Sequence, residues 1–386
     1  MSTTLSTRSI PVARPWVERA EEEAVAEILR SWWLSQGERV AEFERRFAEY
    51  VGAPQAVAVS SCTVALHLVL LACGIRTGDE ILCPSFSFIA TANAIRHAGG
   101  TPIFVDIDRR TFNLDPARLR EAVSPRTRAI LLVHQVGLPA SLEKILALAR
   151  EFGLLVIEDA ACAVGSEYCG RRIGLPHSVA ACFSFHPRKL LTTGEGGMIS
   201  VADVDLAERL RRLRQHGMSI SDLARHRASQ PVFESYDEVG FNYLMTDLQA
   251  AIGLVQLDRL PEMLRRRREL AARYSELLSP SCRFEVPYAP PDCTHNFQSY
   301  VIRVRPDCPV RRDTLMRRLM ECGVSTRRGV MAIHREVPYR SVLWNGCLRE
   351  TESAADETLI LPLFHQMREE QQDYIVDAID DICSHR

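Results

Sequence analysis

Short apolar, β-branched runs alternate with helical patterns over the first two-thirds of the chain. The strand-like runs are 55–60 (QAVAVS), 80–85 (EILCPS), 101–107 (TPIFVDI), 129–135 (AILLVHQ), 154–159 (LLVIED), 181–185 (ACFSF) and 197–201 (GMISV). Most are apolar at successive positions, the pattern of strands covered on both faces. Between them lie amphipathic stretches such as 63–74 (TVALHLVLLACG) and 141–153 (SLEKILALAREFG), which read as crossover helices. The pattern predicts an α/β fold with a mostly parallel seven-stranded sheet in a large domain.

A long helical pattern then runs from about Thr246 to Leu277, and Pro261 should kink it or begin a new helix. Beyond it come a strand (299–306), a helix (312–323), a loop (325–339) and a terminal helix from about Met367, which make a smaller C-terminal α/β domain. The division falls between 1–260, an N-terminal arm with the large domain, and 261–386, the small domain.

Composition narrows the function classes. At 386 residues the chain exceeds the size at which single cores stop growing. A formal charge of −2 gives no electrostatic reason to expect nucleic acid or an anionic membrane as partner. The basic run 264–270 (LRRRREL) lies in a helical pattern and reads as a solvated face. Residues 1–16 lack the apolar core of a signal peptide, and no apolar run approaches ~18 residues. Twelve cysteines without a C-x-x-C pair read as reduced thiols of a cytoplasmic protein. No histidine–carboxylate cluster has metal spacing, so no metal site is expected. The glycine-rich 192–197 (TTGEGG) lacks the Walker lysine and reads as a turn into the next strand.

One composition detail points to chemistry. Of 47 basic residues 45 are arginine, and the two lysines are Lys144 and Lys189. A guanidinium stays protonated, whereas an amine can lose its proton and act as a nucleophile. Lys144 lies on the polar side of its helical pattern; Lys189 follows the 181–185 strand. Open α/β sheets bind ligands beyond the C-terminal ends of their strands. Asp159 and Ser184 occupy such ends, Ser60, Ser61 and Thr63 lead into a helix N-terminus suited to a phosphate, and 85–88 (SFSF) ends another strand with two aromatics. A lysine, a carboxylate, a phosphate cradle and an aromatic are the parts that hold pyridoxal phosphate: the amine forms the Schiff base and the carboxylate pairs with the ring nitrogen. Taken singly each has a plainer reading, the acid as a helix cap and the phenylalanine as core.

In these motifs the chain resembles the DegT/DnrJ/StrS sugar aminotransferases, of the aspartate-aminotransferase fold (fold-type I pyridoxal-phosphate transferases). The resemblance runs nearly end to end, through WLSQGERVAEFE (33–44), SSCTVALHL (60–68), GDEILCPSFSFIATANAI (78–95), IEDAACAVGSEY (157–168), FSFHPRKLLTTGEGGMI (183–199) and GFNYLMTDLQAAIGLVQLDRL (240–260). It implies that Lys189 links to the cofactor and moves protons, that Asp159 pairs with the pyridine nitrogen, and that Phe88 stacks on the ring. Thr63, the backbone at Cys62, and Ser184 would take the phosphate. Asn242 would reach the cofactor phosphate of a neighbouring subunit, in a homodimer with shared active sites. His334 and Arg327, in the 325–340 loop, would border the substrate entrance, and His186 could touch substrate.

Three positions depart from the family pattern. Cys162, close to the ring, stands where Gln or His is usual; Cys62 replaces Gly or Ala; Leu244 replaces a common Arg. The function implied is transfer of an amino group from L-glutamate, or a similar donor, to a keto-sugar, most readily a nucleotide-linked one, with pyridoxamine phosphate as the intermediate cofactor form. A cyclitol or other cyclic ketone is the alternative acceptor. A sugar dehydratase of this family has His in place of the lysine, and a cysteine desulfurase would want His where Arg188 stands. A non-catalytic regulatory member would not need Lys189 together with Asp159.

Overall fold

The structure, a computed structural model, describes residues 9–342 and 346–384. The reading of the N-terminal stretch therefore falls in part, at residues 1–8, outside the described residues.

The strands are β1 (Gln55–Val59), β2 (Glu80–Pro84), β3 (Thr101–Val105), β4 (Thr127–Val133), β5 (Leu155–Asp159), β6 (Glu167–Tyr168), β7 (Arg171–Arg172), β8 (Ala180–Ser184) and β9 (Gly197–Val201), then β10 (Phe284–Glu285), β11 (Cys293–Thr294), β12 (Tyr300–Val304), β13 (Arg327–Arg328) and β14 (Thr358–Leu361). The helices are α1 (Arg19–Ser31), α2 (Glu38–Val51), α3 (Cys62–Ala72), α4 (Ala90–His97), α5 (Pro116–Ala122), α6 (Leu142–Phe152), α7 (Val204–Leu213), α8 (Asp222–Arg227), α9 (Asp247–Leu278), α10 (Arg312–Glu321), α11 (Arg349–Glu357) and α12 (Glu369–Ser384).

All seven strands expected from the apolar runs form one sheet, in the order β1-β9-β8-β5-β4-β2-β3. Its pairs are parallel except those of β9, which runs against both β1 and β8. Two apolar layers cover it. One holds the inner faces of α2, α6 and α9, including Phe43, Phe47, Ile145 and Leu260. The other holds α3, α4 and α7. Helix α3 is buried at every position from Ala65 to Leu70 because it lies between sheet and outer helices, so its sequence shows no polar stripe there. Lys144 is exposed on α6.

A second sheet, β10-β12-β14-β13, is antiparallel and packs with α10 and α12 over its own core around Tyr300, Ile302 and Ile379. Helix α9 differs from expectation: it runs unbroken for 32 residues through Pro261. A proline there removes one ladder hydrogen bond. Burial of Leu257, Leu260, Met263 and Leu264 on either side holds the helix together. Between α9 and β12 the chain returns to the first sheet's neighbourhood, where Cys293 and Thr294 pair with Tyr168 and Glu167. Two-residue strands like these carry no readable period.

Candidate active site

Neighbouring strand ends place the charged groups. β5 and β8 are parallel, with Asp159 in register with Cys182, so the carboxylate comes two residues before Ser184 on the adjacent strand. The N-terminus of α3 sits against the same edge. A Cβ at Gly197, the first residue of β9, would meet Ser61 C at 2.6 Å and Cys62 N at 2.7 Å. Glycine there lets the helix start close in on the sheet. Ser61 caps the helix, its hydroxyl accepting from Val64 N at 3.4 Å, and Thr63 is only half-buried in the first turn. Free N–H groups and the helix dipole make such a turn an anion site. Cys62 is buried, its thiol donating to the Cys182 carbonyl at 3.4 Å.

Asp159 is buried. One carboxylate oxygen accepts from Thr91 Oγ1 at 2.8 Å and the other from Ala161 N at 3.2 Å. Thr91 is in turn within 2.8 Å of Ser87 Oγ. Burial raises the Asp159 pKa above the ordinary carboxylate value, against the pull of these donors, of Lys189 and of His134. A carboxylate has about four acceptor sites. Asp159 therefore keeps capacity for one more donor, and a cationic one would relieve the cost of burial.

Lys189 follows β8 in a turn closed by Lys189 N donating to the His186 carbonyl at 2.8 Å. His186 Nδ1 accepts from Arg188 N at 3.1 Å, and its Nε2 lies 3.8 Å from Glu195. The ring thus braces the lysine turn. Lys189 Nζ lies 3.0 Å from Cys162 Sγ. Burial pulls the ammonium pKa down, but the Cys162 sulfur and then Asp159 outweigh it, and the net direction is upward. Ser184 is half-buried at the end of β8.

Phe88 stands at the end of the segment after β2 with 59% of its surface exposed, although aromatic side chains are usually covered. His334 is buried, Nδ1 at 2.7 Å from Ser85 Oγ and Nε2 at 3.2 Å from Glu352. Nδ1 thus ties the 325–340 loop to the end of β2, and Nε2 ties it to α11. Arg327 is exposed on β13, and Asn242 is exposed on the segment that bridges back to Gln215. The structure thus gathers Asp159, Lys189, Cys162, Ser184 and the start of α3, while Asn242 and Arg327 lie on the exposed surface.

Sequence reasoning missed Thr91, which bonds Asp159, and Ser87, which bonds Thr91. It also missed Asn296 and Gln298, buried residues that reach the Cys162 and Lys189 loops. No spacing rule links positions this far apart. The one local hint is the polar run HNFQS ahead of β12.

These groups fit a phosphate-bearing pyridine ring. The helix start takes an anion, the buried carboxylate has capacity for a cation, the exposed phenyl face offers a platform, and the amine lies beside them. Among the described residues no cluster of three or more metal-ligating side chains occurs.

A model of the DegT/DnrJ/EryC1/StrS aminotransferase family matches residues 16–380. The spore coat polysaccharide biosynthesis protein SpsC of Bacillus subtilis (strain 168) is 39% identical over 378 residues, 97% of either chain. The GDP-perosamine synthase of Caulobacter vibrioides is also 39% identical, over 377 residues, covering 97% of this chain and 98% of that protein. Among solved structures, the putative sugar aminotransferase Spr1654 of Streptococcus pneumoniae in its PMP form superposes with a TM-score of 0.90 at 26% identity, over 97% of this chain and 99% of that one.

Proposed function

Because the chain belongs to the DegT/DnrJ/EryC1/StrS aminotransferase family, we propose that it moves an amino group from L-glutamate to the carbonyl carbon of a nucleotide-linked keto-sugar. The observation that carries this reading is the placement of a buried carboxylate, Asp159 at the end of β5, within electrostatic reach of the amine of Lys189 in the turn after the adjacent β8, beside the start of α3. Two relatives at 39% identity are named for polysaccharide biosynthesis and for making a GDP-linked sugar, which supports an amino-sugar product.

Pyridoxal phosphate, when bound, supplies an aldehyde carbon to carry the amino group and an electron-withdrawing ring. The chain's own residues do the rest. Lys189 Nζ would anchor the cofactor and, when free, would take the proton from the donor's Cα and return one to the acceptor carbon. Asp159, held by Thr91 and Ala161 N, keeps the ring nitrogen protonated. The first turn of α3, Thr63 and Ser184 would hold the phosphate, and Phe88, with its exposed ring, would offer a stacking platform. Cys162, at 3.0 Å from Lys189, stands where a stronger hydrogen-bonding side chain is usual in the family.

On the same footing, residues 1–260 form the large cofactor-holding unit and 261–386 the small one, with α9 as the spine they share. The cytoplasm is the proposed location, supported by cysteines that are all free among the described residues. No helix among them is long and apolar enough to cross a membrane.

The working unit is a homodimer with shared sites. Trp32, Phe233 and Val239 are 91%, 90% and 88% exposed. Trp32 lines a hollow with Arg225 and His226 of α8, and Arg225 pairs with Glu234 beside Phe233 at 3.1 Å. Asn242 lies on the exposed segment that follows Val239. Central Trp and Phe anchors contribute about 2 kcal/mol or more each at protein interfaces. The double variant Trp32→Asp/Phe233→Asp should therefore shift the mass in light scattering from dimer to monomer and lower activity with it. A double variant that keeps the wild-type mass would remove this part of the reading.

The substrate class is tested by incubating the protein with L-glutamate and a panel of nucleotide-linked 3- and 4-keto-sugars, with inososes alongside. Mass spectrometry should find a ketone oxygen replaced by an amino group and hydrogen, with one 2-oxoglutarate released per product. Turnover of inososes alone would move the reading to cyclitols. No turnover of any acceptor would sink it.

A further inference from the structure

A three-residue segment far along the chain, Asn296–Phe297–Gln298, holds both sides of the Lys189–Cys162 contact. Gln298 is buried, and its side-chain amide makes two bonds to the backbone flanking Lys189. Its Oε1 accepts from Leu190 N at 2.8 Å, and its Nε2 donates to the Arg188 carbonyl at 2.7 Å. Asn296, also buried, does the same for the opposite loop: Nδ2 donates to the carbonyls of Cys162 and Val164, both at 2.8 Å. Its Oδ1 accepts from Gln298 N at 2.8 Å, which ties the two clasps together.

The segment is itself fixed from several directions. Phe297 between them has a left-handed backbone, φ +51°, a conformation that costs a non-glycine residue energy and persists only where its surroundings impose it. His295 Nδ1 accepts from Phe297 N at 3.0 Å. The buried Arg267 of α9 donates to the carbonyls of Phe297 and Gln298 at 2.8 and 2.7 Å. Room for Asn296 comes from Gly137, where a Cβ would fall 1.8 Å from Asn296 Oδ1.

Buried backbone groups need hydrogen-bond partners wherever they lie. Here four backbone groups, Leu190 N and the carbonyls of Arg188, Cys162 and Val164, are met by just two side chains, and those two are tied to each other through Gln298 N. A lysine that anchors a group and then carries a proton between two carbons must find both positions from one backbone placement. Misplacement by about 1 Å can cost about 10²-fold in rate.

We infer that Asn296 and Gln298 are positioning residues for the transamination, fixing Lys189 Nζ for proton transfer at the donor's Cα without touching substrate or cofactor. The inference rests on the assignment of Lys189 in the proposed function.

The test uses the holoenzyme with two variants. Gln298→Met keeps length and loses both bonds; Gln298→Glu keeps an acceptor for Leu190 N but turns an oxygen towards the Arg188 carbonyl. Borohydride reduction and peptide mass spectrometry give the fraction of sites carrying cofactor on Lys189, and rates are expressed per loaded site. Both variants should still load Lys189 and keep the KM for L-glutamate, while kcat falls about 10- to 100-fold. The isotope effect with Cα-deuterated glutamate should rise as proton transfer becomes slower. A merely structural role would reduce the amount of folded, loaded protein and leave kcat per site and the isotope effect unchanged; that result overturns the inference. If Gln298→Met does not fold, Gln298→Glu, which replaces one NH2 by oxygen, decides by the same readouts. Wild-type protein with no cofactor on Lys189 fails the underlying assignment and takes this inference with it.

Discussion

Lys189→Ala is expected to abolish amination, with kcat at least about 10⁴-fold below wild type, since general acid–base transfer alone contributes about 10² to 10⁴. The variant loses two functions at once, the covalent anchor and the proton carrier, so the effect should exceed either alone. No other amine can substitute. The only other lysine, Lys144, is exposed on α6. Lys189→Arg should be equally inactive, because a guanidinium with a pKa above about 12 neither attacks an aldehyde nor gives up its proton. Single-turnover assays with excess enzyme check both variants, and circular dichroism should show wild-type folds. Residual turnover within tenfold of wild type in either variant would place the chemistry elsewhere.

The second large effect belongs to Asp159→Asn. The amide can keep a contact with Thr91 Oγ1 and the Ala161 backbone, so the site should persist while its charge is lost. Without that charge the ring nitrogen is no longer held protonated, and kcat should fall about 10³-fold, within the ~10² to 10⁴ span of positioned proton control. Stability should move in the opposite direction. Burial raises the Asp159 pKa, so in the cofactor-free chain the unfolded state ionises first as pH increases. The wild-type carboxylate therefore costs stability above the unfolded value of about 3.9, and this cost grows until the pH passes the folded value. Cofactor-free Asp159→Asn should unfold at a higher temperature than wild type at pH 7, and the gap should close as pH falls towards the ordinary carboxylate range. Calorimetry over that range reads it. An Asn variant with wild-type kcat, or a cofactor-free variant less stable than wild type at pH 7, would contradict the role given to the carboxylate.

Much of this architecture was legible because parallel strands covered on both faces write themselves as continuous apolar runs. All seven strands of the large sheet lie where those runs lie. The lysine bias marked Lys189, and the strand-end rule marked Asp159. The parts that stayed hidden share a cause: they depend on contacts between distant segments. Nothing local to Thr91 says that its hydroxyl will meet Asp159, 68 positions away. Gln298 meets Leu190 across 108 positions, and a lone glutamine ahead of a strand reads as any solvated side chain. Pro261 misleads for the reverse reason: its local preference is real, but packing on both sides of α9 overrides it. His334 was read as bordering the substrate entrance; its ring contacts to Ser85 and Glu352, 249 and 18 positions away, were equally invisible in the sequence.

The central claim is that Lys189 carries the cofactor, and the chain's two lysines make it simple to test. The purified protein is loaded with pyridoxal phosphate, reduced with borohydride, digested and analysed by mass spectrometry. The account predicts a pyridoxyl phosphate adduct on the peptide containing Lys189, stoichiometric with sites, and lost when L-glutamate is added before reduction. An adduct on Lys144, or no adduct on either lysine, would contradict it.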